Sequence, residues 1–205
     1  MDFESRFAKI ISYLFHPLLM PTYGFLLIFL TVYTIPSLAF KLSILIVTFV
    51  FTFMLPTINA LILLKSGRIQ SLEMETTNER VIPYVTTSLY FFSLVYLFVS
   101  RDYPLLFSLV IAGAGISILF SFFINFIWKI SAHAIGIGGI IGALLGIGYQ
   151  LEIDVRMYLM VAILVAGIIG YGRLKLKAHI PSQVYSGFLL GFAVEFILMF
   201  LFLHQ

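Results

Sequence analysis

Long apolar runs separated by short polar segments dominate the chain. A membrane-spanning helix needs roughly 20 apolar residues, and the runs of about that length cover residues 17–34, 40–64, 82–100, 105–128, 133–150, 157–172 and 184–203. Most connections are short, and the one long polar connection extends from Lys65 to Arg80. The pattern predicts an all-α, polytopic transmembrane helical bundle of about six to seven spans, forming one integral membrane domain over residues 1–205.

The composition supports this prediction. The chain is 61% hydrophobic and only 10% charged, whereas soluble domains carry about 25% charged residues. The net charge of +3 at pH 7 is too small to indicate nucleic-acid binding. Cysteine is absent, which excludes disulfides, thiolate metal sites and a cysteine nucleophile. The sequence therefore predicts an integral membrane protein.

The number of spans assigns each connection to one of two membrane faces. With seven spans, the N-terminus, the 65–80 loop, the segment around Lys129 and the 173–183 segment share a face. That face carries nine of the 12 Lys and Arg residues: Arg6, Lys9, Lys65, Arg68, Arg80, Lys129, Arg173, Lys175 and Lys177. Cytoplasmic loops carry the excess of Lys and Arg, so the shared face is predicted to be cytoplasmic, unless several of these charges serve a binding site.

Small and polar residues inside the spans predict contacts between helices. The glycine-rich run 134–148 and the pair Gly187 and Gly191 have the spacings of three and four that permit close helix packing. Asn125 is interpreted as an interhelical hydrogen-bonding residue, and His16, beside two prolines, as a helix-terminus residue. Glu195 lies in the middle of the last span, where a carboxyl is either a functional group or a hydrogen-bonded packing residue.

Three short stretches on the shared face, 78–84, 129–133 and 172–183, carry groups suited to phosphate chemistry. Arginine guanidinium groups match the oxygens of a phosphate, and Arg80 and Arg173 lie in two of these stretches together with lysines. Two histidines beside a phosphate, here His133 and His179, suggest a nucleophile and a general acid.

Helix ends in these stretches add to the phosphate hypothesis. Ser131 is predicted to be the N-cap of the fifth span, and Pro181 suits the first turn of the seventh. Each helix N-terminus would present backbone N–H groups to an anion. Gln183 follows His179 by four residues, the helical spacing at which its amide can orient the imidazole.

These stretches resemble the type 2 phosphatidic acid phosphatase superfamily of membrane lipid phosphatases. The family has three motifs: Lys-x6-Arg-Pro, Pro-Ser-Gly-His and Ser-Arg-x5-His-x3-Asp. The third corresponds to Gly172-Arg173, His179 and Gln183 with the same intervals, and the second to Ile130-Ser131-Ala132-His133. The first corresponds to Arg80, followed by Pro83 instead of an adjacent proline.

The resemblance implies an activity and a role for each matched residue. His179 would be the nucleophile that forms a phosphohistidine, His133 the acid that protonates the leaving oxygen, and Gln183 the residue that orients His179. The phosphate would be held by Arg80, Arg173, Ser131 and Lys129. No metal or cofactor is expected, the partners would be a phosphorylated lipid substrate and membrane lipids, and no protein partner is predicted. The location would be a bacterial inner membrane.

Two departures from the family leave other functions open. Glu73 stands where the family has a lysine, and Gln183 where it has an aspartate that stabilises the cationic histidine. The leading hypothesis is a metal-independent phosphatase acting on a lipid phosphate or diphosphate. A second is a diverged member that binds phosphorylated lipid head groups without hydrolysis. A third is a small-molecule transporter, which Glu195 and the proline-broken first span favour.

Overall fold

The chain is described here by a computed structural model covering residues 2–32, 37–72, 74 and 76–203. Within these ranges there is no β-strand, so the prediction of an all-α bundle is confirmed. The described residues form nine α-helices: α1 (Phe3–Leu14), α2 (Met20–Thr31), α3 (Leu38–Phe49), α4 (Leu55–Lys65), α5 (Val81–Ser100), α6 (Leu105–Asn125), α7 (Ala132–Gln150), α8 (Arg156–Lys175) and α9 (Pro181–Phe202).

Among the described residues, seven helical segments are long and apolar enough to cross a membrane. They are Phe3–Thr31, Leu38–Lys65, Asn78–Ser100, Leu105–Asn125, Ala132–Gln150, Arg156–Lys175 and Pro181–Phe202. Each contains most of one predicted run, while the predicted end of the first run, at residue 34, lies outside the described residues. The chain is an integral membrane protein whose N-terminus and 65–80, 125–132 and 175–181 connections share a face.

The first span is broken where the sequence places two prolines. After α1, His16 caps a short 3₁₀ helix, Pro17–Leu19, by accepting a hydrogen bond from the Leu18 N–H (3.3 Å), which confirms the helix-terminus interpretation. The amphipathic α1 packs against α8, with Ala8 fully buried. Lys175, in the last turn of α8, forms ion pairs with Asp2 (3.4 Å) and Glu4. This packing fixes α1 beside the end of α8.

The closest helix packing in the bundle is between α7 and α9. A Cβ atom on Gly191 would lie 2.0 Å from the Ile135 carbonyl oxygen, and one on Gly187 would lie 2.7 Å from the Ser131 carbonyl oxygen. Both pairs of positions advance by four residues in the same direction, so the two helices run parallel. The predicted close approach at these glycines is confirmed. It places the N-termini of α7 and α9 side by side, with the Ser131 N–H donating to the Gln183 carbonyl (3.3 Å).

An aromatic core closes the bundle at the end away from the 175–181 connection. Phe25, Phe98 and Phe107 are fully buried, and the rings of Phe25 and Phe107 meet edge to face with centroids 5.2 Å apart. Phe98 and Phe107 flank the α5–α6 connection, which lies on the opposite face. Other members of this core, among them Phe91 and Ile147, line the cavity described below.

Candidate active site

A cavity of about 1130 Å³ lies within the bundle, and the shared-face connections contribute its polar wall. Five of the seven site residues predicted from the sequence line it: Arg80, Lys129, His133, Arg173 and His179. They come from three segments that are far apart in the chain, at or beside the ends of helices. Ser131 and Gln183 lie outside the wall formed by the described residues.

The turn between α8 and α9 sets the distance between Arg173 and His179. The Lys177 N–H donates to the Leu174 carbonyl (2.9 Å), and the Ala178 N–H donates to the Arg173 carbonyl (3.1 Å). Lys177 has a φ of 52°, in the left-handed region. This pair of bonds around a left-handed residue is the Schellman motif that ends many helices. It keeps Arg173 in the last turn of α8 and ends that helix, so that His179 lies two residues before the start of α9.

Gln183 determines which nitrogen of His179 can react. Its Oε1 lies 3.0 Å from His179 Nδ1 and also accepts the Ile180 N–H (3.3 Å). Because a backbone N–H needs an acceptor, the amide oxygen is the atom that faces both groups, and Nδ1 carries the hydrogen. His179 Nε2 then keeps its lone pair. The arrangement matches the predicted orienting role of Gln183 and leaves one imidazole nitrogen nucleophilic.

His179 is neutral at physiological pH. Burial lowers its pKa to about 4, the hydrogen bond to Gln183 opposes that shift, and the positive charges of Arg173, Lys129 and Arg80 add to it. A folded-state pKa below the ordinary value means that the ring loses its proton already in mildly acidic solution. The unprotonated form, which a nucleophile requires, is therefore the form present at pH 7.

Exchanging the partner of His179 is expected to move the pH dependence of any reaction that uses its lone pair. In the Gln183→Glu variant a carboxylate would stabilise the imidazolium, so the acid limb of kcat/KM should rise from about pH 4 by about one to three pH units. Gln183→Met, which has similar length but no acceptor for Nδ1–H, should lower kcat without that rise. Phosphate-release rates between pH 4 and 9 measure both. An acid limb that stays in place in Gln183→Glu would contradict the assigned contact.

His133 and Arg173 are joined through a residue of α1. His133 Nε2 lies 3.1 Å from the Ser12 carbonyl, which can only accept, so Nε2 carries a hydrogen. Arg173 Nη1 donates to the Ser12 hydroxyl (3.0 Å). Ser12 thereby fixes the orientation of both side chains, and Nδ1 is the His133 nitrogen left for exchange of a proton.

Ser131 is a helix cap and not a cavity residue. It is fully buried, and its hydroxyl accepts the Ala134 N–H (3.4 Å) at the start of α7, as predicted for an N-cap. Pro181 is the first residue of α9, as predicted. The expected contact between the Ser131 side chain and a phosphate is therefore not supported by its position. Its contribution is to hold the first turn of α7, from which Ala132 and His133 line the cavity.

The cationic wall explains most of the charge asymmetry of the sequence. Of the nine Lys and Arg residues on the shared face, five line the cavity: Lys9, Arg80, Lys129, Arg173 and Lys177. The remaining charges are Arg6, Lys65, Arg68 and Lys175 on this face and Lys41, Arg101 and Arg156 on the other. Most of the asymmetry therefore comes from charges that line the cavity, and the remaining charges do not assign this face to the cytoplasm.

The N-terminal segment, made of α1 and the cap of the 3₁₀ helix after it, contributes three side chains that were not predicted to belong to the site. Lys9, Ser12 and His16 all line the cavity, and the ring centroids of His16 and His133 lie 5.9 Å apart. In the sequence, their intervals of three and four are those of one helix face, although α1 ends at Leu14 and His16 lies beyond it. The span count also places the N-terminus beside the site. Together these two signals could have identified them.

Asn125 and Glu195 are the two other polar residues that the sequence places within the spans. Asn125 Nδ2 donates to the Thr77 carbonyl (2.7 Å), so it ties the end of α6 to the segment before Arg80. Glu195 is buried at 4% exposure and lines the same cavity as the histidines. Glu73, which replaces the lysine of the resembled motif, lies outside the described residues.

The site thus combines a neutral, oriented imidazole, a second histidine and a cluster of cations on one wall. Fold alone does not assign an activity, so the function has to be argued from this chemistry. No family model matches this chain, and no curated protein or solved structure matches it either.

Proposed function

We propose that this protein is a membrane phosphatase that hydrolyses a lipid phosphate or diphosphate through a phosphohistidine, without a metal ion. One observation carries the proposal: His133, His179 and the cationic side chains of Arg80, Lys129 and Arg173 line a single cavity. These groups come from separate segments of the chain, and the resemblance to the type 2 phosphatidic acid phosphatase superfamily requires them to meet. The same resemblance supports a location in a bacterial inner membrane.

The cations bind the substrate phosphate in this proposal. Guanidinium groups of Arg80 and Arg173 donate paired hydrogen bonds to phosphate oxygens, and Lys129 adds a third positive charge. Ala132 and His133, in the first turn of α7, line the cavity, so in this proposal the positive end of the α7 dipole adds to the attraction for phosphate. These groups stabilise the charge that spreads over the phosphoryl oxygens in the transition state.

The reaction proceeds in two phosphoryl transfers. His133 enters this step protonated on both nitrogens, as the imidazolium that the bound phosphate stabilises. His179 Nε2 attacks phosphorus, the bond from phosphorus to the lipid oxygen breaks, and the departing oxygen takes the Nδ1 proton, which leaves His133 neutral with its hydrogen on Nε2. Water then attacks the phosphohistidine, giving its proton to His133, and the P–N bond breaks to release inorganic phosphate. His179 and His133 return to their starting forms, so each turnover consumes one water and one phosphate ester bond.

Gln183 favours a second candidate, a protein that binds the lipid phosphate without hydrolysing it. An amide orients the His179 ring but supplies no negative charge for the cationic phosphohistidine. The corresponding loss of a carboxylate beside a catalytic histidine in a serine protease lowers kcat about 10⁴-fold. The binding surface would be the same in both candidates, and only turnover separates them.

Phosphate release in the presence of a chelator tests the proposal. The full-length chain, purified in detergent with EDTA, would be offered phosphatidate, phosphatidylglycerol phosphate and undecaprenyl diphosphate. We expect inorganic phosphate from at least one lipid at a rate that EDTA leaves unchanged. Replacing Arg173 by Gln should raise KM by about 10- to 100-fold, because a charged hydrogen-bond donor to the phosphate is lost.

A water-soluble control separates chemistry from lipid recognition. Glycerol 3-phosphate carries the phosphate without hydrocarbon chains and should be hydrolysed far more slowly than phosphatidate. If no lipid releases phosphate while phosphatidate still raises the thermal midpoint of the protein, the second candidate is favoured. Release that requires added metal would contradict the metal-independent mechanism.

A further inference from the structure

A carboxyl group lies deep in the cavity, well away from the phosphate-binding groups. Glu195 is about 18 Å along α9 from Gln183, and it faces Gly139, which is about 9 Å along α7 from His133, at 1.5 Å per residue. Its side chain is 4% exposed, and Oε2 has no hydrogen-bond partner among the described residues. A buried polar atom without a partner costs free energy, so a ligand that donates a hydrogen bond to this oxygen would be stabilised.

Two neighbouring helices omit a side chain where this carboxyl sits. A Cβ atom on Gly113 of α6 would lie 2.5 Å from the Glu195 carboxyl carbon and 2.6 Å from Oε2. A Cβ atom on Gly139 of α7 would lie 3.3 Å from Glu195 Cγ. The carboxyl therefore has a defined position against two glycine backbones. An apolar side chain could fill the same space without leaving a polar atom unpaired.

A second unpartnered polar group lines the same cavity. Ser117 of α6 is 2% exposed, and its hydroxyl has no partner among the described residues. Ser121, one turn further along α6, also lines the cavity, but its hydroxyl donates to the Ser117 carbonyl (2.7 Å). Of these two serines, Ser117 is the one with an unused hydroxyl.

The surrounding wall is apolar. Phe91, Val110, Ala114, Ile140 and Ala143 line the cavity together with Glu195 and Ser117. The volume of about 1130 Å³ exceeds that of ordinary small-ligand pockets, about 300–1,000 Å³, and a phosphate group fills only a small part of it. Hydrocarbon matches this wall, and a polar group on the hydrocarbon matches the two unpartnered side chains.

We propose that Glu195 and Ser117 form a polar subsite that binds a hydroxyl group carried on the hydrocarbon chain of the lipid phosphate. The inference rests on the proposed function for the phosphate, and it adds a class of substrate, hydroxylated lipid phosphates. A hydroxyl donates one hydrogen bond and accepts others, so it donates to the carboxyl oxygen and accepts from Ser117. A plain chain leaves both groups unpaired.

Matched lipid pairs test the subsite. Phosphatidates of equal chain length, with or without one hydroxyl near the ester or midway along the chain, would be compared by kcat/KM for phosphate release. We expect the wild type to prefer a hydroxylated lipid by about 10- to 100-fold, the effect of satisfying one or two buried polar groups. Ser117→Ala and Glu195→Leu should lose the preference.

Conservative variants guard against a purely structural effect. Glu195→Gln keeps the volume and an oxygen acceptor, so it should retain a preference for the hydroxylated lipid. Ser121→Ala removes a hydroxyl that is already bonded within α6, so it should also retain the preference. If Glu195→Leu does not fold, the comparison of Ser117→Ala with Ser121→Ala still tests the subsite.

A binding measurement separates this inference from the proposed hydrolysis. The thermal midpoint of the His179→Ala variant, with each lipid of the pair, reports binding without turnover. If no lipid is hydrolysed but the hydroxylated one stabilises the protein more, the subsite stands and the phosphatase proposal fails. If the two lipids of the pair give equal kcat/KM in the wild type and equal thermal midpoints in His179→Ala, the subsite is overturned. Sodium ions alone could instead raise the thermal midpoint, with no difference between the two lipids. If Glu195→Leu removes that effect, Glu195 binds a cation and the hydroxyl subsite is overturned.

Discussion

We expect the His179→Ala variant to lose phosphate release by about 10⁴-fold or more in kcat/KM, the scale seen when a hydrolase loses its nucleophile. In the structure His179 is the imidazole whose Nδ1–H is held by Gln183 and whose Nε2 is left with its lone pair. Removing it removes the atom to which phosphorus is transferred. Phosphate release from the best lipid substrate, measured over a range of concentrations, gives the value.

Two controls show that such a loss is chemical. Imidazole added to a His179→Gly variant should restore part of the rate, because the freed space accepts the missing ring. A rapid quench of the wild type should trap an acid-labile, base-stable phosphoenzyme that His179→Ala lacks. Phosphate release that survives in His179→Ala at the wild-type rate would rule out this nucleophile.

The second large effect is expected at the contact between α7 and α9. A methyl group on Gly191 would lie 2.0 Å from the Ile135 carbonyl oxygen and 2.9 Å from the Gly139 backbone nitrogen. Backbone atoms in the middle of a helix cannot yield, so Gly191→Ala has to separate the helices. We expect a loss of about 3 kcal/mol in the free energy of unfolding and a thermal midpoint in detergent lower by about 6–12 °C.

Other glycines provide matched controls for this prediction. A Cβ atom on Gly24 of α2 or Gly167 of α8 would have no neighbouring atom within 4 Å. Gly24→Ala and Gly167→Ala should therefore leave the midpoint unchanged or raise it slightly, since alanine favours a helix by about 1 kcal/mol over glycine. Equal midpoints for Gly191→Ala and Gly167→Ala would contradict the packing of α7 on α9.

The sequence predicted the parts of the fold and site that depend on local spacing. The spans follow from the lengths of apolar runs, because a lipid environment requires every backbone group to be paired within a helix. The close approach at Gly187 and Gly191 follows from small residues four apart. In the sequence, the interval from Arg173 to His179 is only a match to a motif of the resembled superfamily, and the structure adds that a Schellman motif ends α8 within it.

Other features depend on contacts between distant segments and could not be predicted from spacing. Ser131 is buried, and its hydroxyl accepts the Ala134 N–H, but whether its side chain also faces the cavity depends on how α7 packs against α9. Ser12 carries no motif, but its carbonyl and hydroxyl hold His133 and Arg173. The part of the cavity next to Glu195 likewise forms only when α6, α7 and α9 pack together.

The α5–α6 hairpin has a consequence for how such a site can change over evolution. It lies between Arg80 and the second histidine of the site, His133, and it crosses the membrane twice, so the chain returns to the face from which it left. Inserting or deleting a pair of spans at this point keeps every site residue on the same side. A single added span would carry His133, Arg173 and His179 to the opposite face from Arg80. Helices can therefore be gained or lost here in pairs without inverting half of the site.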